Sequence, residues 1–536
     1  MDPLIGLILI VFPIILAFVL LVFLHKAADV TGVIVWLVTL VIAIFGFQTD
    51  IGVALVASLV GMVKSFPISL MVATSILMMT YMQETGALQR ITVFFKTLGG
   101  GNRPMQILFI SLGLGLFLVG IGATPVTMLP PVMLALGFSP LVAVALPSIG
   151  YDPLTTFALL AVPAQVFQKA FNDASGLNIT LAQSGSVFAM FMPVISTGIA
   201  VSMLWIAGGR QMLKDREALL LAVTSGSTAG FVAIICNLEA VNMTRLTNVF
   251  AGAAVVFVLF LYTRIRKRPM IDRSQLNDKD LEVEKNMSLG RASIPWVILV
   301  VLSLLTTLVE PIKFLLAEQL NVAIQLGAYP QVINTRVLWQ AYTLMLVATL
   351  VSIPFFSRDK TIMKKTLAKF MKRAPRPVLA AAIFFAMAEV MIYSGWFVGS
   401  GGAWAYPLDP SNNMVHLLAT LTSESLGQSY PLTAAFLGLL AGFVSGSETS
   451  AIAMFTDYHY QASVAIGANA HQAQIVAASS GIGGGLASVL SPAKIQNATA
   501  VIDKIGIEGE VIRYGAVVAL LMTLAVAIMT YFWFIA

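Results

Sequence analysis

Four ionisable residues stand inside otherwise apolar or small-residue sequence: Asp152, Glu389, Glu448 and Lys494. A charge at the centre of a bilayer costs on the order of 3 kcal/mol, so such residues almost always face a partner or a water-filled cavity. A carboxyl group in that position can bind and release a proton, and the ammonium group of Lys494 can bind an anion. A purely structural hydrogen bond, or for Lys494 a position near the membrane surface, would also accommodate these side chains.

Two stretches of small and hydroxyl residues, 120–127 and 445–450, interrupt long apolar runs. The N–H groups at the start of a half-helix carry about half a positive charge, which suits a carboxylate or phosphate. The predicted substrate-binding residues are Gly120, Gly122, Thr124, Ser445, Gly446, Ser447, Thr449, Ser450 and Lys494. Close helix contacts of the Gly-xxx-Gly kind would produce a similar composition.

Other kinds of chemistry lack a motif in this sequence. The single cysteine, Cys236, lies in an apolar run, so neither an intramolecular disulfide nor a cysteine-based metal site can form. We find no paired metal-ligand spacing, no phosphate-binding Gly-Lys-Ser/Thr loop and no nucleophile elbow. We therefore predict a protein without a metal or cofactor that is not an enzyme.

The composition is that of a polytopic membrane protein. Of 536 residues, 58% are hydrophobic and 10% are charged, whereas soluble domains carry roughly 25% charge. Each crossing needs about 20 apolar residues, so the chain can cross more than ten times without a large soluble domain. The first apolar run, 4–24, lacks a preceding basic residue and a cleavage site, which favours a first membrane helix over a removable signal peptide. The uninterrupted apolar runs are 4–24, 30–47, 67–81, 186–207, 218–237, 248–263, 294–308, 338–356, 377–398, 432–444 and 514–535.

Basic residues indicate the orientation of these runs. The formal charge of +6 is concentrated in short loops beside apolar segments, which indicates membrane topology rather than binding to nucleic acid. Clusters at 90–103, 210–216, 264–268 and 358–376 can all be cytoplasmic, which puts the N-terminus outside. The run 361–372 interleaves lysines with apolar residues, and either an interfacial amphipathic helix or a solvated basic loop would fit it.

The chain reads as two similar halves. A charged segment, 264–292, is predicted to be a cytoplasmic linker between residues 1–263 and 293–536. Each half contains one Gly- and Pro-interrupted apolar segment, 113–165 in the first and 442–496 in the second. Matched interruptions of this kind point to a transporter binding site, because broken backbone is tolerated in a membrane only where it lines protein or water. Duplication or chance similarity would both explain the likeness.

At these two segments the chain resembles the lactate permease family of bacterial and archaeal membrane carriers. The sequence Gly-Phe-Val-Ser-Gly-Ser-Glu-Thr-Ser at 442–450 is similar to that family's Gly-Ser-Asp/Glu-Thr-Ser signature. The glycine-rich run 477–485 followed by Ser491-Pro492, and the sequence Gly-Phe-Ser-Pro-Leu at 137–141, add to the likeness. The chain departs from the family's acidic motif at 119–125 and carries Lys494 after the Ser-Pro pair rather than a lysine before it.

The resemblance implies a multi-pass carrier of the plasma or inner membrane that moves lactate or glycolate together with a proton. It also implies an all-α fold of two inverted-repeat halves, in which broken helices or re-entrant hairpins move as an elevator. Lys494 and the half-helix starts are expected to hold the carboxylate, and Glu448, Asp152 or Glu389 the coupling proton. The hydroxyl groups expected to meet the 2-hydroxyl of the substrate are those of Thr124, Ser447, Thr449 and Ser450.

Several alternatives remain open at the level of sequence. A sodium-coupled carrier, or a carrier of a sulfonate or dicarboxylate, would share these features. An anion channel would conduct under voltage without exchanging substrates, and an integral membrane enzyme would need a reactive constellation that we do not find. The expected partners are a small organic anion, a coupling proton or sodium ion, and the lipid bilayer, and the sequence leaves the oligomeric state open.

Overall fold

The computed structural model describes residues 3–24, 26–98, 102–120, 125–269, 271–356 and 360–535. Within these ranges, nine helices are long and apolar enough to cross a membrane, or up to 11 if each bent pair is one span. Short antiparallel hairpins are the only paired strands of this part of the chain. The prediction of an all-α polytopic membrane protein is confirmed.

Fifteen helices precede the charged linker. They are α1 (Pro3–Phe18), α2 (Ala28–Val41), α3 (Ile51–Lys64), α4 (Phe66–Glu84), α5 (Ala87–Lys96), α6 (Arg103–Ile107), α7 (Gly115–Gly120), α8 (Pro125–Met128), α9 (Pro130–Ala135), α10 (Pro140–Gly150), α11 (Ala158–Ser175), α12 (Leu181–Ala189), α13 (Met192–Lys214), α14 (Arg216–Cys236) and α15 (Thr247–Ile265). Helix α3 is missing from the predicted apolar runs, because its 14 residues fall short of a full crossing.

The linker and the second half contain the remaining elements. The helices are α16 (Asp278–Asn286), α17 (Leu289–Ala292), α18 (Ile294–Leu308), α19 (Glu310–Phe314), α20 (Ala341–Ser352), α21 (Lys360–Arg373), α22 (Pro375–Ile392), α23 (Met414–Leu426), α24 (Pro431–Ser445), α25 (Glu448–Ala465), α26 (Ala470–Leu486), α27 (Pro492–Val501) and α28 (Glu508–Ile535). The two hairpins pair β1 (Ala323–Ile324) with β2 (Ile333–Asn334), and β3 (Phe397–Val398) with β4 (Trp404–Ala405).

Each interrupted segment contains a 3₁₀ turn between two helices. In the first, α10 ends before a 3₁₀ turn, Asp152–Phe157, and the chain bends by 41° between Pro140–Gly150 and Asp152–Ser175. In the second, α24 and α25 meet at a sharp turn, and α26 and α27 are separated by a 3₁₀ turn, Ala487–Leu490. Pro153 in the 3₁₀ turn and Pro492 at the start of α27 lack the N–H that would continue a preceding helix, which favours a break at these two positions.

The basic run 361–372 forms a helix rather than a loop. Helix α21 packs against α4, and Lys369 makes an ion pair of 2.6 Å with Glu84. Leu367 and Met371 lie one turn apart on its exposed face. An exposed apolar pair beside lysines is typical of a helix that lies at a membrane surface.

Hydrogen bonds and ion pairs connect α27 and the residue just beyond it with α2 and with the basic residues at the end of α21 and the start of α22. Gln496 donates a hydrogen bond of 2.7 Å to Asp29, and Arg376 donates two to the same carboxylate, at 2.8 and 2.9 Å. Arg373 makes a second bidentate pair, of 2.8 and 2.5 Å, with Asp503 just beyond α27. Hydrogen bonds from Arg373 lower the pKa of Asp503 below its ordinary value, so this pair stays charged near neutral pH.

Candidate functional site

A cavity of about 880 Å³ lies where the interrupted segments meet α3, α4, α20 and α22. Residues on both sides of the first break, Val119 and Pro125, line it together with the turn between α24 and α25. The predicted site residues among its lining are Glu389, Ser445, Gly446, Ser447, Glu448, Thr449, Ser450 and Lys494. The structure therefore places most of the residues that were singled out from the sequence around one space.

The turn that carries Glu448 connects α24 and α25 through a tight change of chain direction. Gly446 ends α24 with φ of +65°, a left-handed conformation that glycine adopts without strain. Ser447 caps α25, because its hydroxyl oxygen accepts a hydrogen bond of 3.3 Å from the N–H of Ser450. A Cβ at Gly446 would lie 2.7 Å from the Ser491 hydroxyl, so this turn abuts the start of α27. Glu448 is thereby fixed as the first residue of α25.

The carboxyl group of Glu448 joins the two halves of the chain. It is buried, and its Oε1 atom accepts a hydrogen bond from the hydroxyl of Thr156 on the 3₁₀ turn of the first half. Its Oε2 atom lies over Gly485, where an added Cβ would approach to 2.7 Å. Glycine at 485 thus leaves the space that the carboxyl group fills.

Lys494 lies in the first turn of α27 and attracts both Glu448 and Asp152 electrostatically. Its Nζ atom lies 6.0 Å from the centre of the Tyr151 ring, within range of a cation–π contact. Asp152 and Glu448 are each only 4% exposed. One carboxyl group from the first half of the chain and a carboxyl and an ammonium group from the second half therefore form one buried cluster.

Glu389 occupies a separate wall of the cavity, and it has a partner that sequence reasoning missed. Lys64, the last residue of α3, donates a hydrogen bond of 2.5 Å to Glu389 Oε1. The hydroxyl of Tyr329 donates to the same oxygen at 3.0 Å. The sequence does contain a signal for this partner, an isolated lysine at the end of the apolar sequence 51–63. It indicates a buried ion pair only once α3 is recognised as a membrane helix.

The predicted residues at the first break have different placements. Gly122 and Thr124 lie outside the described residues. Gly120 packs against α15, where a Cβ would lie 2.8 Å from the Cβ of Asn248, and the cavity lining does not include it. The geometry of Gly120 is that of a close helix contact, so an anion-binding role for it stays a prediction. Asn248 itself donates a hydrogen bond of 3.0 Å to the carbonyl of Leu154, which holds the 3₁₀ turn in place.

Replacing Gly485 with alanine should displace the Glu448 carboxyl group and reduce substrate uptake at least several-fold. Overpacking of this kind typically costs about 1–3 kcal/mol. The control is Gly481→Ala on the same helix, where the atoms nearest to the added Cβ belong to the apolar side chains of Ile452 and Phe188, each at 2.9 Å. Uptake into proteoliposomes and thermal unfolding of the purified variants measure the two effects. Equal losses of uptake in both variants would contradict a specific effect on Glu448.

Comparison with known proteins agrees with this arrangement over nearly the whole chain. A sequence model described as L-lactate permease matches residues 6–535. The chain is 25% identical to the glycolate permease GlcA of Escherichia coli (strain K12), covering 97% of this chain and 94% of that protein. It is 22% identical to the L-lactate permease of Streptococcus iniae, with coverage of 85% and 90%, and 22% identical to that of Salmonella typhi, with 92% and 89%.

These matches confirm the resemblance drawn from the motifs at 442–450 and 477–492. Together with the apolar helices they establish a multi-pass plasma membrane protein. Because the family match extends from the first helix to the last, the chain belongs to the L-lactate permease family.

Proposed function

We propose that the protein is a symporter that carries lactate or glycolate across the plasma membrane together with a proton. The observation that carries this proposal is the buried cluster of Lys494 with Asp152 and Glu448, of which Lys494 and Glu448 line the cavity between the interrupted segments. The relatives are named as lactate and glycolate permeases, and both anions are small 2-hydroxycarboxylates. Family membership supports lactate or glycolate as the substrate, and the charges of the cluster support coupling to a proton.

The substrate carboxylate binds Lys494 and the start of α25. Lys494 supplies the only ammonium group among the described cavity residues that faces two buried carboxyl groups. The N-terminal turn of α25 adds the partial positive charge of its free N–H groups. The hydroxyl groups of Ser447, Thr449 and Ser450 line the same space and hydrogen-bond the 2-hydroxyl group of the substrate.

The coupling follows from the charge of the cluster. With both carboxyl groups ionised, one ammonium and two carboxylates carry a net charge of −1, and a buried net charge is costly. One shared proton neutralises the empty cluster. A bound monocarboxylate adds another negative charge at Lys494, so a second proton is required for neutrality. One anion therefore enters with one proton, and Glu448, released from Lys494 by the substrate, takes up that proton.

The cavity becomes accessible alternately from the two sides of the membrane through a rigid movement of the interrupted segments. The cavity has the turn at 445–450 and the start of α11 on one side and α3, α4, α20 and α22 on the other. Helix breaks beside such a cavity are typical of carriers whose halves rock or slide against each other. We infer that the segments 113–165 and 442–496, which both line the cavity, move together as the transport unit, in an elevator motion.

Uptake of labelled L-lactate and glycolate into proteoliposomes tests the function. An inside-alkaline pH gradient should drive accumulation in the absence of sodium. Clamping the voltage at zero should leave accumulation unchanged, because one anion with one proton carries no net charge. A requirement for sodium at fixed pH would overturn proton coupling, and conductance without counterflow would indicate a channel. Competition by short 2-hydroxy acids, plain monocarboxylates, dicarboxylates and sulfonates would define the substrate class.

A further inference from the structure

We propose that Lys64 forms a second carboxylate-binding site, at the external mouth of the cavity, where the anion binds before it reaches Lys494. The identity of the anion rests on the proposed function. The site itself rests on the placement of Lys64, Glu389 and Tyr329, which the binding cluster at Lys494 does not use. In this arrangement the incoming carboxylate competes with Glu389 for the ammonium group of Lys64.

The pair of Lys64 and Glu389 is held rigidly by close packing of α3 on α22. A Cβ at Gly61 would lie 2.5 Å from Ala386 Cα and from the carbonyl oxygen of Phe385. Gly61 precedes Lys64 by one helical turn, and Ala386 precedes Glu389 by the same interval. Residues one turn apart share a helix face, so this contact fixes both charged side chains on facing surfaces. The site is formed before any ligand binds.

The hydrogen bonds of the pair leave Lys64 with unused donors. An ammonium group has three N–H donors, and the hydrogen bonds described for Lys64 use one of them, toward Glu389. The lysine side chain is 32% exposed, whereas that of Glu389 is 5% exposed. Glu389 Oε1 already accepts from both Lys64 and Tyr329. The more exposed, positively charged member of the pair is thus the one that can bind a further ligand.

The position of Tyr329 places the site at the outer mouth. Tyr329 lies between α18 and α20, and its ring is 5.2 Å from the Lys64 Nζ atom. The linker that starts with the cluster at 264–268 precedes α18, the cluster at 358–376 follows α20, and both clusters are cytoplasmic by the charge rule. The segment that carries Tyr329 is therefore external, and its residues Gln331 and Arg336 also line the cavity. An anion that enters from outside meets Lys64 early.

The cavity is large enough for both sites to be filled at once. Pockets of roughly 300–1,000 Å³ hold drug-sized ligands, and this cavity of about 880 Å³ lies in that range. A small hydroxy acid occupies only part of such a volume. The proposal therefore predicts two bound anions per chain, one at each lysine.

Equilibrium binding of labelled L-lactate to the purified full-length protein tests the proposal. The wild type should bind two anions per chain, and Lys64→Gln and Lys494→Gln should each bind one. Glu389→Gln removes the competing carboxylate and should tighten binding at Lys64 roughly tenfold, as expected for loss of one nearby charge. The double variant Lys64→Gln with Glu389→Gln leaves no unpaired charge and should also bind one anion. The control is Lys169→Gln, an exposed lysine on α11 paired only with Asp173.

Opposite effects of Lys64→Gln and Glu389→Gln distinguish an anion site from a packing contact. If both variants weaken binding alike, or if a wild type that transports lactate binds one anion and Lys64→Gln leaves this unchanged, the second site is overturned and the proposed function stands. If acetate binds in a Lys64-dependent manner but neither lactate nor glycolate is transported, the proposed function fails and the Lys64 site stands. Absence of any carboxylate binding overturns both.

Discussion

Lys494→Gln is expected to reduce uptake of lactate and glycolate by about 100-fold, which corresponds to roughly 2.7 kcal/mol. The substitution removes the ammonium group that the substrate carboxylate binds in the proposed mechanism. It also leaves Asp152 and Glu448 without their shared counter-charge, and breaking a buried ion pair costs about 3–5 kcal/mol. Lys494→Arg keeps the positive charge but replaces the compact ammonium group with a planar guanidinium group, so we expect partial activity.

Initial uptake rates in proteoliposomes, normalised to reconstituted protein, measure the effect of Lys494→Gln. Lys504→Gln is the matched control, because Lys504 is an exposed lysine just beyond the same helix. Thermal unfolding of the purified variants separates loss of binding from loss of folding. Uptake within twofold of the wild type in a folded Lys494→Gln variant would contradict the role of Lys494 in binding the substrate.

Glu448→Gln should abolish proton-driven accumulation while preserving exchange of substrate across the membrane. A glutamine side chain retains an oxygen that can accept the hydrogen bond from Thr156, but it cannot gain or lose the coupling proton. The pH gradient should therefore drive uptake at least tenfold less, a change of about 1.4 kcal/mol. Counterflow with substrate on both sides needs no net proton movement and should continue.

Asp457→Asn is the matched control for Glu448→Gln, because Asp457 is exposed on the same helix α25. The two assays are run on one preparation, so that the amount of active protein cancels. Driven uptake that equals the wild type would contradict a coupling role for Glu448. Equal loss of driven uptake and counterflow would assign Glu448 to substrate binding instead.

The breaks and their charged residues could be predicted because their signals are local. Glycine, proline and hydroxyl residues inside an apolar run mark an interrupted helix wherever the chain folds. An isolated charge such as Glu448 or Lys494 marks a cavity for the same reason, since lipid does not solvate it. The presence of interrupted helices in 113–165 and 442–496 could therefore be predicted from the sequence alone.

The partners of these charges could not be predicted, because they come from distant parts of the chain. Thr156 and Glu448 are 292 residues apart, and Lys64 and Glu389 are 325 residues apart. Their pairing depends on how helices pack, which neither periodicity nor composition encodes. Gly120 shows the same limit. A small residue at a break can either line a cavity or pack against another helix, and in the structure Gly120 packs against α15.

The contacts of α27 near the basic residues 373 and 376 bear on how this helix can move. Gln496 of α27 shares the Asp29 carboxylate with Arg376, and Arg373 pairs with Asp503 just beyond α27, in the region that the charge rule places inside the cell. Any movement of α27 relative to α21 and α22 in the proposed transport cycle has to break these contacts, because they hold α27 in the arrangement that the structure describes.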